Sequence, residues 1–274
     1  MTDEMTHHAR VVSTRAELAA ALQQFRANGQ TIALVPTMGA LHEGHRTLVR
    51  RARDLADVVV VSVFVNPLQF GQNEDLDKYP RTLAADVAAI SEEKGDLVWA
   101  PSVEDMYPGG DPLVRVTPGP MGEVLDGASR PGHFGGMLTV VAKLFGSVRP
   151  DVAVFGEKDA QQLALIKRMV RDLDLAIEIE GVPTVREHDG LALSSRNTYL
   201  SPEQRGAGLA ISRALRTGSL ARARATLAAE PGLRVDYCEL VDPDTFLPLD
   251  RDSGGLLLIA AFAGTTRLID NAPI

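Results

Sequence analysis

The feature that most constrains this chain is an apolar run, Thr31-Ile32-Ala33-Leu34-Val35, that ends in a glycine-punctuated turn and reaches two histidines: Pro36-Thr37-Met38-Gly39-Ala40-Leu41-His42-Glu43-Gly44-His45. A short apolar run bounded by turn residues reads as a buried strand. Residues three apart share a helix face, so a helix starting at the pair brings both rings together at its first turn. There the leading backbone N–H groups have no intrahelical partner, and the positive end of the helix dipole favours anions. His42 and His45 are thus placed to bend and clamp a phosphate chain.

The same alternation continues along the first two thirds of the sequence. Strands are expected at Thr31–Pro36, Val58–Val65, Asp96–Ala100 and Val152–Phe155, with a short one around Ala176–Glu180. Helices are expected near Glu43–Leu55, Thr82–Glu93, His133–Val148 and Asp159–Leu173. Continuous runs such as Val58-Val59-Val60-Val61 suit strands covered on both faces, so the fold class is α/β, a Rossmann-like doubly wound parallel sheet. After Gly181-Val182-Pro183 come a polar segment, an Ala- and Arg-rich helical region, and strand patterns near Val235–Val241, Leu256–Ala263 and Thr265–Leu268. This predicts a smaller α+β C-terminal domain, lid-like, over 185–274, following a first domain over 1–184.

Composition narrows the partners. Of 274 residues, 28 are Lys or Arg and 36 Asp or Glu, and a net charge of −8 leaves no excess cation to neutralise a nucleic-acid backbone or an anionic membrane. The densest apolar runs, Val58 to Val65 and Leu256 to Ala263, fall well short of the roughly 20 residues of a membrane span. One cysteine, Cys238, excludes an intrachain disulfide and is expected to pack in a strand. The acidic start of the chain lacks a signal-peptide pattern, so the expected location is cytoplasmic. His7, His8 and His188 are expected to be solvated.

Known nucleotide and metal fingerprints do not fit the histidine turn. There is no G-x-G-x-x-G, and His45-Arg46 stands where a P-loop needs Lys followed by Ser or Thr. His42-Glu43-Gly44-His45 is one residue short of the H-E-x-x-H zinc arrangement. Three further groups lie at expected strand ends or at the domain junction. Asn66 and Gln69, in Asn66-Pro67-Leu68-Gln69, offer amides to a polar organic substrate carrying hydroxyl and carboxylate groups. Gly156-Glu157-Lys158-Asp159 sets a cation beside a helix start that Asp159 suits as N-cap, with Gln162 one turn on. Ser194-Ser195-Arg196 supplies two hydroxyls and a guanidinium for triphosphate oxygens. Asp86 is a candidate to hold Mg²⁺ directly or through water, and Arg130 and His133 to contact substrate or cap a helix.

Taken together, Pro36 to His45, Phe64 to Gly71, Phe155 to Gln162 and Ser194 to Asn197, in this order, closely resemble the pantoate–β-alanine ligase family of the nucleotidylyltransferase superfamily. The resemblance implies ATP-dependent condensation of pantoate with β-alanine through a pantoyl adenylate, releasing pyrophosphate and then AMP. It implies that His42, His45, Lys158, Ser194, Ser195 and Arg196 serve catalysis. It places Gln69 and Gln162 on pantoate with Asn66 shaping the pocket, has Pro36 and Met38 lining the site, and sets Gly156, Asp159 and Val185 around adenosine. ATP with Mg²⁺ is the implied substrate, with Asp86 near the metal, no tightly bound organic cofactor, and a homodimer formed through the first domain. The alternative is a nucleotidylyltransferase acting on a phosphorylated metabolite, which needs extra cations for the second phosphate. A nucleotide-sensing module without turnover would lack some of the phosphate-neutralising residues.

Overall fold

The computed structural model describes residues 7–71, 76–251 and 254–274. Met1 to Thr6, whose acidic residues enter the cytoplasmic expectation, lie outside the described residues. The elements run β1 (Arg10–Val12), α1 (Arg15–Ala27), β2 (Ile32–Thr37), α2 (Glu43–Leu55), β3 (Val58–Val63), α3 (Leu83–Glu92), β4 (Leu97–Trp99), α4 (Val103–Met106), α5 (Asp126–Ser129) and α6 (His133–Val148). Then follow β5 (Val152–Gly156), α7 (Ala160–Asp172), β6 (Glu178–Val182), α8 (Pro202–Leu215), α9 (Leu220–Ala228), β7 (Leu233–Val241), β8 (Leu256–Ala263) and β9 (Thr266–Pro273). By their contacts they form two compact units, one comprising Met1–Pro118, Arg130–Phe155 and Leu165–Val182, the other Gly119–Ser129, Gly156–Ala164 and Pro183–Ile274.

The first unit is built on a six-stranded parallel sheet in the order β1-β4-β3-β2-β5-β6. Ala33, Val35, Val59, Val61 and Val98 pack with Leu48, Val49 and Ala52 of α2 and Ile90 of α3. Successive strand residues face opposite sides, so Ile32, Leu34, Val58 and Val60, equally buried, serve the other face. There α6 packs over β2 and against α1. Both faces are dry, which is why these strands read as unbroken apolar runs. The strand order reverses between β2 and β5, and in open sheets of this kind ligands bind beyond the carboxyl ends of the strands at such a switch point. The histidine turn leaves the carboxyl end of β2.

Differences from the expected elements have local causes. β3 stops at Val63, not Val65, because Asn66 caps a single 3₁₀ turn over Pro67–Gln69. α3 starts one residue late, with Thr82 in the N-cap position. β1 and α1 are additions: three residues with Val11 exposed give little strand signal, whereas Thr14 and Glu17 form a capping box that marks the start of α1. His7 is not simply solvated, since its Nε2 lies 2.8 Å from the Gly95 carbonyl oxygen.

The second unit carries the antiparallel sheet β7-β8-β9, with α8 packed on β8 and α9 on β7. Its core joins Ile211, Ala214, Leu227, Leu240, Leu257 and Ile259 with Cys238, whose thiol burial pushes up to about 11. Two segments that precede position 184 in sequence belong here, and buried polar groups explain why. Gln161 donates to the carbonyls of Met121 (2.7 Å) and Val124 (2.9 Å) and accepts from Asp126 N–H (3.1 Å). Asp126 in turn accepts from Arg267 (2.6 Å) and from the Tyr237 hydroxyl (2.9 Å). β9 runs past Leu268 to Pro273, and its polar residues Asp270 and Asn271 are buried because the unit uses them, as described below.

At Gly136, α6 comes close against the backbone of the Pro67–Gln69 turn. A Cβ there would lie 1.9 Å from the Leu68 carbonyl oxygen, a backbone atom that cannot swing aside. Gly136→Ala is therefore expected to push α6 off the Pro67–Gln69 turn and to destabilise the protein by about 2–3 kcal/mol, read as a lower urea midpoint at unchanged m-value.

Candidate active site

The histidine turn is held from behind. Thr37, the last residue of β2, donates its hydroxyl to the Ser62 carbonyl (2.7 Å) and accepts from Gly39 N–H (3.2 Å). Gly39 (φ +84°) and Ala40 (φ +51°) both take the left-handed conformation, which turns successive amides to one side. Asp86 of α3 meets those amides, accepting from Ala40 N–H (3.2 Å), Leu41 N–H (2.8 Å) and the Thr82 hydroxyl (3.2 Å). A Cβ on Gly39 would lie 3.0 Å from that carboxylate, so this close approach requires glycine. Asp86 is 2% exposed and both its oxygens are engaged. The sequence analysis set it beside Mg²⁺; in the fold its carboxylate is the buried anchor of the turn.

His42 is the N-cap of α2, and the two histidines cap each other's backbone. His42 Nδ1 accepts from Gly44 N–H (3.1 Å), while His45 Nδ1 accepts from His42 N–H (3.3 Å). The rings lie 4.1 Å apart. A ring nitrogen that accepts a backbone N–H carries no proton, so each neutral ring holds its hydrogen on Nε2. Local capping thus makes both Nε2 atoms hydrogen-bond donors at the positive end of α2.

The Asn66–Gln69 turn divides its labour. Asn66, 1% exposed, donates to Gly136 O (3.1 Å) and Gln69 Oε1 (3.0 Å) and accepts from Leu68 N–H (3.3 Å) and the Tyr107 hydroxyl (2.7 Å). Its amide is fully satisfied within the protein, so Asn66, expected among the substrate-binding residues, is a support for Gln69. Gln69 sends Nε2 to Met38 Sδ at 2.9 Å. His133 Nδ1 donates to the Gln69 carbonyl (2.8 Å), and its Nε2 lies 2.9 Å from Arg130 Nη1. Pro36 of β2 is half-buried.

In the second unit, Gly156, Lys158 and Asp159 follow one another into α7. Asn271 of β9 donates both amide hydrogens to this turn, to Glu157 O and Lys158 O, each at 2.9 Å. Beside it Asp270, 4% exposed, accepts the Arg186 guanidinium at 2.5 and 3.0 Å. Lys158 Nζ lies 3.5 Å from Asp159 Oδ2. Gln162 on α7 is half-buried; its neighbour Gln161 is the structural tie already described. Val185 O accepts from Leu193 N–H (3.0 Å), closing the loop that leads to Ser194. Ser194 caps a 3₁₀ turn over Ser195–Tyr199 by accepting from Arg196 N–H (3.2 Å). Asn197 fastens this turn to Ala192 O (3.0 Å) and to Glu187 (2.9 Å), whose carboxyl group the Arg205 guanidinium holds below its ordinary range.

Sequence reasoning did not find Tyr107, Gln161, Glu187, Arg205 or Asn271. Each works through a partner distant in sequence, and only the polar pair Asp270-Asn271 inside a strand pattern carries a trace of its task.

A family model for pantoate–β-alanine ligase matches residues 10–273. The chain belongs to the pantoate–β-alanine ligase family. It is similar to the pantothenate synthetase of Nocardioides sp. (strain ATCC BAA-499 / JS614), 58% identical over 95% of this chain and 84% of that protein. The pantothenate synthetase of Thermobifida fusca (strain YX) is 53% identical over 98% and 97%. Among solved structures, pantothenate synthetase from Thermus thermophilus superposes with a TM-score of 0.89 at 50% identity, covering 96% of this chain and 98% of that one. The pantoate–β-alanine ligase of Francisella tularensis, complexed with β,γ-ATP and β-alanine, gives a TM-score of 0.84 at 35% identity, covering 97% of each chain. Membership in the pantoate–β-alanine ligase family makes this chain an ATP-using enzyme that joins pantoate to β-alanine.

The anchoring role of Asp86 has a measurable signature. Asp86→Asn sets an amide NH₂ against a backbone or hydroxyl donor whichever way it turns, at a cost of about 1–3 kcal/mol in stability. The residual ligase activity should keep the wild-type Mg²⁺ midpoint; a displaced midpoint would make Asp86 a metal ligand.

Proposed function

We propose that the ligation runs in two half-reactions through pantoyl adenylate. In the first, a pantoate carboxylate oxygen attacks the α-phosphorus of ATP, the α–β anhydride bond breaks, and pyrophosphate leaves. In the second, the β-alanine amine attacks the acyl carbon, the acyl–oxygen bond to phosphate breaks, AMP leaves, and the amine proton passes to solvent. A carboxylate is a poor acyl donor because its leaving group would be oxide; the mixed anhydride with AMP removes that obstacle. Protein groups then have two tasks, to align carboxylate and phosphorus and to neutralise charge as pyrophosphate departs.

The observation that carries this reading is the paired Nε2–H set of His42 and His45, oriented by reciprocal capping at a helix start. Two fixed neutral donors there suit phosphate oxygens whose charge shifts during transfer. Lys158 and Arg196 supply cationic charge, and Ser194 and Ser195 hydroxyl donors, for the triphosphate. Gly156, Asp159 and Val185 border adenosine, with Pro36 and Met38 lining the site. Gln69 and Gln162 bind the pantoate hydroxyl and carboxylate. Their neutral amides fit a singly charged acid better than a phosphorylated metabolite, which weighs against the nucleotidylyltransferase alternative.

Mg²⁺ belongs to this scheme as part of the nucleotide substrate, bridging ATP phosphates. Among the described residues no group of three or more His, Cys, Asp or Glu is disposed to hold a metal, and the Asp86 carboxylate is already occupied. No helix of the described residues is long and apolar enough to cross a membrane. We place the enzyme in the cytoplasm, as a homodimer through its first unit, where Leu113 and Val114 offer exposed apolar surface to bury.

Purified protein given ATP, Mg²⁺ and pantoate should release pyrophosphate before β-alanine is added, and AMP with pantothenate afterwards. Pyrophosphate that appears only with β-alanine present would rule out a free-standing adenylation step. His45→Ala and Lys158→Ala should each slow pantoate-dependent pyrophosphate release by at least about 100-fold at near-native melting temperature. Sedimentation equilibrium should return twice the 29.4 kDa chain mass; a single chain mass would remove the dimer.

A further inference from the structure

The hydrogen bonds behind Gln69 fix the orientation of its amide as well as its position. Two backbone groups decide which way Asn66 faces. Leu68 N–H can only donate, and it donates to Asn66 Oδ1; Gly136 O can only accept, and it accepts from Asn66 Nδ2. The second hydrogen on Asn66 Nδ2 then goes to Gln69, so the Gln69 atom facing it, 3.0 Å away, is the oxygen. Gln69 is left to present its NH₂ group on the side of Met38. The last lone pair of Asn66 Oδ1 is taken by the Tyr107 hydroxyl at 2.7 Å, the shortest bond of the group. Tyr107 is 4% exposed, lies 6.1 Å from the Phe64 ring, and has Lys143 Nζ 5.4 Å from its ring centroid. Burial pushes its hydroxyl pKa well up, so it remains a donor at any pH the enzyme meets.

We infer that Tyr107 is a positioning residue for the acid substrate: through Asn66 it holds Gln69 with its NH₂ group presented, so that the site selects an acceptor oxygen and rejects a donor at that place. The inference rests on the proposed role of Gln69 in binding pantoate and names what sets that specificity. Without the Tyr107 hydroxyl, Asn66 Oδ1 keeps only the 3.3 Å contact from Leu68, and the Asn66 side chain gains freedom to turn. A turned Asn66 releases Gln69 Oε1, and a flipped Gln69 sets an acceptor oxygen against the acceptor oxygens of the substrate. An unmatched pair of this kind costs more than a lost hydrogen bond.

Tyr107→Phe removes one oxygen and keeps the ring, so the fold should persist. Steady-state kinetics should show the pantoate KM raised about tenfold, with the KM values for ATP and β-alanine changed less than about twofold. Phe64→Leu is the packing control: it loosens the same ring contact but spares the hydroxyl, and should leave the pantoate KM near wild type. An unchanged pantoate KM in Tyr107→Phe, an equal rise in all three KM values, or the same shift in Phe64→Leu would overturn the inference. Failure of the adenylation reading is seen separately, as wild-type protein that releases no pyrophosphate with pantoate. In that event the calorimetric affinity of Tyr107→Phe for pantoate, compared with wild type, still decides whether the hydroxyl positions the acid-binding amide: a fall of about tenfold supports it, and equal affinity overturns it.

Discussion

A buried strand that ends in a tight turn leaves amide hydrogens with nowhere to go, and the Asp86 carboxylate is what receives them. Ala40 and Leu41 point their N–H groups at it, Gly39 is close enough that a side chain there would touch it, and Thr82 closes the set. An unpaired buried amide costs on the order of 1–3 kcal/mol, so two such groups set the path of the chain between β2 and α2. That path determines where α2 begins, hence which residue is its N-cap, hence that His42 and His45 cap each other. The donor character of the proposed phosphate clamp follows from a carboxylate that the histidines themselves do not touch.

The amide turn follows the same logic with neutral groups. Asn66 spends every hydrogen-bonding position inside the protein, and the result is a Gln69 whose polarity is set in advance. The close approach of α6 through Gly136 brings the Gly136 carbonyl within reach of Asn66, which ties a packing requirement to a chemical one. In the second unit Asn271 secures the Lys158 turn by its backbone carbonyls, leaving the ammonium side chain out of the fastening. In each case the residue proposed to meet substrate is held by a neighbour that is not.

How much of this was legible in the sequence depends on the range of the interaction. The strands β2 to β5 and helices α2 and α6 were readable because burial on two faces writes continuous apolar runs, and because capping and turn residues sit next to what they terminate. The ligand-facing candidates His42, Gln69, Lys158 and Ser194 were readable as polar residues at strand ends and in turns. Their supports were not. Tyr107 lies 41 positions from Asn66, and Asn271 lies 113 from Lys158, so no local pattern joins them. Asp86 and Asn66 were singled out for their chemistry and then found spent on structure, since a sequence shows what a side chain can bond to but not whether the protein already does so. The far end of β9 was missed for a related reason: Asp270 and Asn271 look like the polar fringe of a strand, yet both are buried on partners brought by the fold.

His42, His45 and His133, all in the first unit, show how far backbone groups reach into side-chain chemistry. His42 and His45 each accept a backbone N–H at Nδ1, which leaves the proton of the neutral ring on Nε2. His133 meets the opposite partner, the Gln69 carbonyl, which can only accept, so its proton is on Nδ1 and its Nε2 receives the Arg130 guanidinium. Identical side chains are thereby committed to different tautomers by one backbone atom apiece. His133 meets the Gln69 carbonyl through Nδ1 and the Arg130 guanidinium through Nε2, whereas His42 and His45 carry their neutral-ring proton on Nε2 at the start of α2. The division between the supporting histidine and the two proposed to meet substrate is therefore written in the main chain, by whether an N–H or a C=O reaches the δ nitrogen.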